Sequence, residues 1–164
     1  ILVGGPVTAN VIRFKSIMGT SLSYQSATPV PEPIRSEIVR YLTEESDKRN
    51  WWAESLILFD TPNLPGHLVG DTKLFCLIDD DLADCFMAMT DAVFIVELLE
   101  AVSTKYKIDW TLSLAGSPCG QVSKGARDAE LTNNLNSFAT LADEDGGDFG
   151  KYDRVRLLAE NPDR

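Results

Sequence analysis

Thr20, Leu22 and Tyr24 alternate with Ser21, Ser23 and Gln25, the period of two that marks a strand buried on one side. Beyond Thr28-Pro29-Val30-Pro31-Glu32-Pro33 the apolar period lengthens. Ile34, Ile38 and Leu42 fall at helical spacing, and the pairs Arg40/Glu44 and Glu44/Lys48 lie four apart on the opposite side. Proline suits the entry to a helix because the amide it removes has no intrahelical partner there. The helix is predicted to run to about Arg49. A strand joined at once to an amphipathic helix points to a mixed α and β domain.

The same two periods recur downstream. In "WWAESLILFD", Trp51, Ala53, Ser55, Ile57 and Phe59 share one face of a predicted second strand, with Trp52, Glu54, Leu56, Leu58 and Asp60 on the other. "TPNLPG" turns the chain into a third strand, about His67 to Ile78, with Leu68, Thr72, Leu74, Cys76 and Ile78 on one face. A hairpin is the economical pairing of these two strands. Leu82 to Met89 reads as a short helix, and Thr90 or Asp91 as the cap of a longer one through Val93, Val96, Leu99 and Val102 to about Lys107. Trp110, Leu112 and Leu114 alternate with Thr111, Ser113 and Ala115. "SPCG" is read as the next turn and "GQVSKG" as a short returning strand. Asp128 is placed to cap a last helix with Leu131, Leu135, Phe138 and Leu141 inward. This order predicts a ferredoxin-like βαββαβ sandwich of the α+β class, with an extra C-terminal hairpin and helix. Residues 18–142 form the expected domain. Residues 1–17 are read as a poorly ordered or non-native extension before Met18, and 143–164 as an acidic flexible tail with a short helix.

With 25 acidic and 15 basic side chains the net charge is -10 and the pI about 4.5. That balance disfavours nucleic acid and anionic membrane surfaces and favours a basic protein partner. No apolar run reaches the ~20 residues of a membrane span. Arg13 and Lys15 follow the apolar start rather than precede it, which speaks against a secretory leader. The three cysteines, Cys76, Cys85 and Cys119, cannot all pair within one chain, and the expectation is a reducing, cytoplasmic setting.

The opening Ile1-Leu2-Val3-Gly4-Gly5 resembles the mature start of trypsin-like proteases. Such an enzyme needs a histidine, an aspartate and a serine within Gly-Asp-Ser-Gly. Here His67 is the only histidine and no such serine motif occurs, so the likeness ends after five residues. Asp79, Asp80, Asp81 and Asp84 crowd together, as do Asp143, Asp145 and Asp148, but neither run has the spacing of a calcium loop. Cys76, Cys85, Cys119 and His67 lack the close pairing of a zinc site. No metal or cofactor is expected.

What remains is a binding surface. If Trp51 and Trp52 point to opposite faces, one indole is displayed unless both faces are covered, and Glu54 lies beside it. Trp51, Trp52, Glu54, His67 and Asp71 are the candidate binding residues. The expected function is a non-catalytic interaction module, such as an inhibitor or immunity-type partner of a basic protein, with self-association through the sheet face as a variant. The competing expectation is a small hydrolase or isomerase-like enzyme whose Glu54, His67, Asp71 and Cys119 converge in a cleft.

Overall fold

The computed structural model describes residues 21–74 and 82–144, with backbone alone at 82–87 and 137–144. β1 (Ser21–Ser26) leads into α1 (Ile34–Asp47), followed by β2 (Ile57–Phe59), β3 (Val69–Lys73), α2 (Leu82–Tyr106), β4 (Trp110–Leu114), β5 (Ser117–Ser123), β6 (Ala126–Arg127) and α3 (Ala129–Glu144). The class is α+β: the described residues form three helices and one six-stranded antiparallel sheet in the order β2-β3-β1-β4-β5-β6. This order departs from a bare four-stranded sheet by the two strands added beyond β4.

The alternation in β1 works as the sequence suggests. Leu22 and Tyr24 are 1 % exposed, and Ser21, Ser23 and Gln25 on the other face are half-buried. Leu22 and Tyr24 share one core with Ile38 and Leu42 of α1, Leu99 and Val102 of α2, Trp110 of β4, Val122 of β5 and Leu131 of α3. All three helices therefore cover the same face of the sheet. Helix α2 is apolar almost all round because it also touches α1 and α3, so little of it is left for water between Ala88 and Leu99. Among the described residues no helix is long and apolar enough to cross a membrane.

Several expected boundaries move, each for a local reason. Ile38 and Leu42 are buried, but Ile34 at the start of α1 is exposed, and Lys48 pairs with Glu45 at 2.6 Å rather than with Glu44. The second strand is only Ile57–Phe59. The N–H groups of Trp52 and Ala53 donate to the Asp91 carboxylate instead of a strand ladder, so 51–56 do not alternate across a sheet. The two helices expected at 82–107 are one. Asp91 is turned to that same task and caps nothing. The turn expected at "SPCG" lies earlier, at Ala115 and Gly116 (φ 49° and 80°), a pair of left-handed residues suited to a two-residue hairpin loop. "SPCG" is thereby part of β5, and Cys119 is buried on a strand. Lys124 and Gly125 repeat the device between β5 and β6 (φ 53° and 82°). Asp128 does cap α3, its Oδ1 accepting the Leu131 N–H at 2.8 Å. The extension 1–17, the aspartates 79–81 and the tail from 145 lie outside the described residues, as do the side chains of Cys76, Cys85, Asp84, Phe138, Leu141 and Asp143.

Candidate functional site

The face of the sheet turned away from the helices holds Ser21, Ser23 and Gln25 of β1, flanked by Asp71 of β3 and Ser113 of β4 opposite Ser23. Toward the β2 edge this face becomes apolar. Ile57 lies opposite Asp71 and Phe59 opposite Val69, and both β2 residues are exposed, at 44 % and 45 %. Two exposed rings or branched chains on a three-residue end strand are costly to leave in water without a use. Ser23 Oγ donates to Asp71 Oδ1 at 2.7 Å, which fixes the carboxylate on the surface of this face.

Beside the strand, between β2 and the first turns of α1, lies a shallow groove of about 150 Å³. Val39, Leu58 and Leu68 supply its apolar wall, Phe59 its lip, and Arg35 and Asp60 its polar end. Arg35 bonds to Asp60 and lies 3.6 Å from Glu32. β2 itself is held from beneath. The buried Tyr24 hydroxyl donates to the Ile57 carbonyl at 3.1 Å and receives the Ile57 N–H at 3.2 Å. Burial pushes the Tyr24 phenol up to about 12, partly offset by its bonds to Thr72 and Ile57.

A second cluster ties the chain after α1 to α2. Asp91 is fully buried; its Oδ1 receives Arg49 Nε at 2.8 Å, and its Oδ2 receives the N–H groups of Trp52 and Ala53 at 2.7 and 2.8 Å. The Arg49 guanidinium sits 4.5 Å from the Phe94 ring centre and 5.7 Å from that of Trp51. Trp51 packs edge-on against Phe94 and donates its indole N–H to Ser46 O at 2.9 Å. Three N–H donors on one buried carboxylate, facing a stacked guanidinium, make a structural clasp.

The sequence-derived residues are thus spread over separate places. Trp51 belongs to the clasp, and Trp52 beside it is 38 % exposed. Glu54 is half-buried and 4.0 Å from Lys73. His67 Nδ1 donates to the Ser26 carbonyl at 2.8 Å, holding the entry to β3 against β1. Asp71 lies on the open face. Cys119 is on β5, separated from β3 by β4 and β1, a lateral gap of about 14 Å at ordinary strand spacing. The thiol and the imidazole are not brought together. The sequence offers Asp60, with Glu54 and Asp71, as a possible acid–base carboxylate, but it does not mark Arg49, Asp91 or Arg35 as site residues. The one local sign was an acid, Asp91, inside an otherwise apolar helical run.

Burial, reinforced by the charges of Glu130 and Asp128, pushes the Cys119 thiol up to about 11. Its thiolate is then scarce at neutral pH. Alkylation of Cys119 in the folded protein at mildly alkaline pH is expected to be slower than in the urea-unfolded chain by at least about a hundredfold, followed by peptide mass spectrometry. Comparable rates would mean an accessible thiol. Among the described residues no group of three or more His, Cys, Asp or Glu side chains is placed to hold a metal ion. The chain matches no protein-family model, and no curated protein or solved structure matches it.

Proposed function

We propose that the protein is a non-catalytic binding module of the cytoplasm that engages a basic protein partner, in the manner of an inhibitor or immunity protein. The observation that carries this reading is the open sheet face. Among the described residues no helix covers it, and Ile57 and Phe59 stand exposed at its edge beside Asp71. The net charge of -10 favours a cationic partner and adds a long-range attraction to the encounter. The ferredoxin-like reading of the framework is supported by the β2-β3-β1-β4 succession within the sheet, to which β5, β6 and α3 are added. Such a framework serves many activities, so the reading rests on the surface rather than the fold.

The test is affinity capture from the native host with the full chain and with an Ile57→Asp/Phe59→Asp variant, followed by kinetics on the purified partner. The expected result is a basic protein retained by the parent and lost by the variant. Its association rate should fall about tenfold or more from low to physiological salt. A partner held equally by both chains, or an association rate indifferent to salt, would overturn the reading. Measured mass in solution separates this from self-association: the protein alone is expected to be monomeric.

A further inference from the structure

We infer that the groove beside β2 receives an extended basic segment of the partner, one aliphatic side chain entering the groove while a neighbouring lysine or arginine meets Asp60. This deepens the proposed function and rests on it. The shape comes first. Among the described residues β2 is the terminal strand of the sheet and pairs only with β3, over three residues. So short an edge offers few backbone bonds to an added strand, and selectivity must come from side chains. At about 150 Å³ the groove is sized for a single aliphatic chain, walled by Val39, Leu58 and Leu68 with Phe59 as its lip.

Charge then decides the sign of the segment. Arg35 is already shared by Asp60 and Glu32, so the polar end of the groove carries two carboxylates for one guanidinium. An acidic ligand would meet a neutralised cation. A basic one meets the carboxylate charge that Arg35 leaves uncompensated between Glu32 and Asp60, whose side chain is 85 % exposed, within a chain of net charge -10.

The test uses the full chain and two labelled peptides of equal length, one alternating lysine with valine and the other glutamate with valine. Binding is followed by fluorescence anisotropy, and its location by amide chemical shifts. The lysine peptide should bind, with the largest shifts at Val39, Leu58, Phe59 and Asp60, and the glutamate peptide should not. Asp60→Lys should weaken binding by about tenfold or more. Glu44→Lys, an equal change of charge on the far side of α1, should leave it within about threefold. Asp60→Asn provides an intermediate step should the lysine disturb the amide spectrum. Equal weakening by Asp60→Lys and Glu44→Lys, shifts scattered over the acidic surface, or no binding of the lysine peptide would overturn the inference. Retention of a basic partner through Ile57 and Phe59 alongside any of these results would leave the broader binding role standing and remove only its placement in the groove.

Discussion

Asp91→Ala is expected to lower the free energy of unfolding by about 3–5 kcal/mol, the range seen when one member of a buried ion pair is removed and the other left uncompensated. The magnitude follows from what the carboxylate holds. Arg49, with its side chain 8 % exposed, loses its counter-ion in a place where water reaches little of it, and the N–H groups of Trp52 and Ala53 lose their acceptor. An unsatisfied buried donor costs about 1–3 kcal/mol by itself. Relaxation of 51–53 into solvent limits the total, because that stretch is irregular rather than tied into a ladder. Urea unfolding read by tryptophan fluorescence and by circular dichroism measures the loss. Arg49→Met/Asp91→Ala should cost less than the sum of its single changes, since the double variant buries no lone charge. A loss below about 1 kcal/mol for Asp91→Ala would show that the clasp is not holding the chain after α1.

The same clasp explains what could and could not be read along the chain. Strand β1, helix α1, β4 and the Asp128 cap depend on periods and on partners a few residues away, so their signals are local and survive in one sequence. The inward set Leu68, Thr72 and Leu74 was likewise legible from alternation. Residues 51–56 have the composition of a strand, yet the N–H groups of Trp52 and Ala53 are claimed by an acid about forty positions downstream, which no local pattern announces. The turn at Ala115-Gly116 was displaced onto "SPCG" because proline and glycine punctuate strongly there, whereas alanine rarely accepts a positive φ. For the site, exposed apolar residues on an open sheet face were foreseeable in kind. The particular pair was not. Trp52 and Glu54 were singled out on an alternation that breaks before it reaches them, whereas Ile57 and Phe59 lie where the strand actually forms.

Gly70→Ala should cost about 1–3 kcal/mol as an overpacking substitution. Gly70 lies between Tyr24 on β1 and Leu58 on β2, and the Tyr24 ring passes beneath it to reach the Ile57 backbone. An added Cβ would overlap the Tyr24 Cε2 atom and the Ile57 carbonyl oxygen, and would sit 2.6 Å from Tyr24 Cζ. The carbonyl is backbone and cannot swing aside, so the ring must move and its hydroxyl must let go of β2. That displacement has its own signature. In the parent chain the Tyr24 phenol titrates at about 12, above the ~10 of an unfolded tyrosine, because burial favours the neutral form. The fold therefore holds this proton more tightly than the unfolded chain does. The stabilisation is complete below about pH 10 and is lost as pH rises toward 12. In Gly70→Ala the phenol should titrate closer to 10 by ultraviolet absorbance, and the drop in stability above that pH should shrink. In a Tyr24→Leu background the same glycine substitution should cost markedly less, since the flat ring is what occupies the space. If the two changes are instead additive, the crowding arises from the Ile57 carbonyl alone, and β2 is held to the sheet by its pairing with β3 rather than by the tyrosine beneath it.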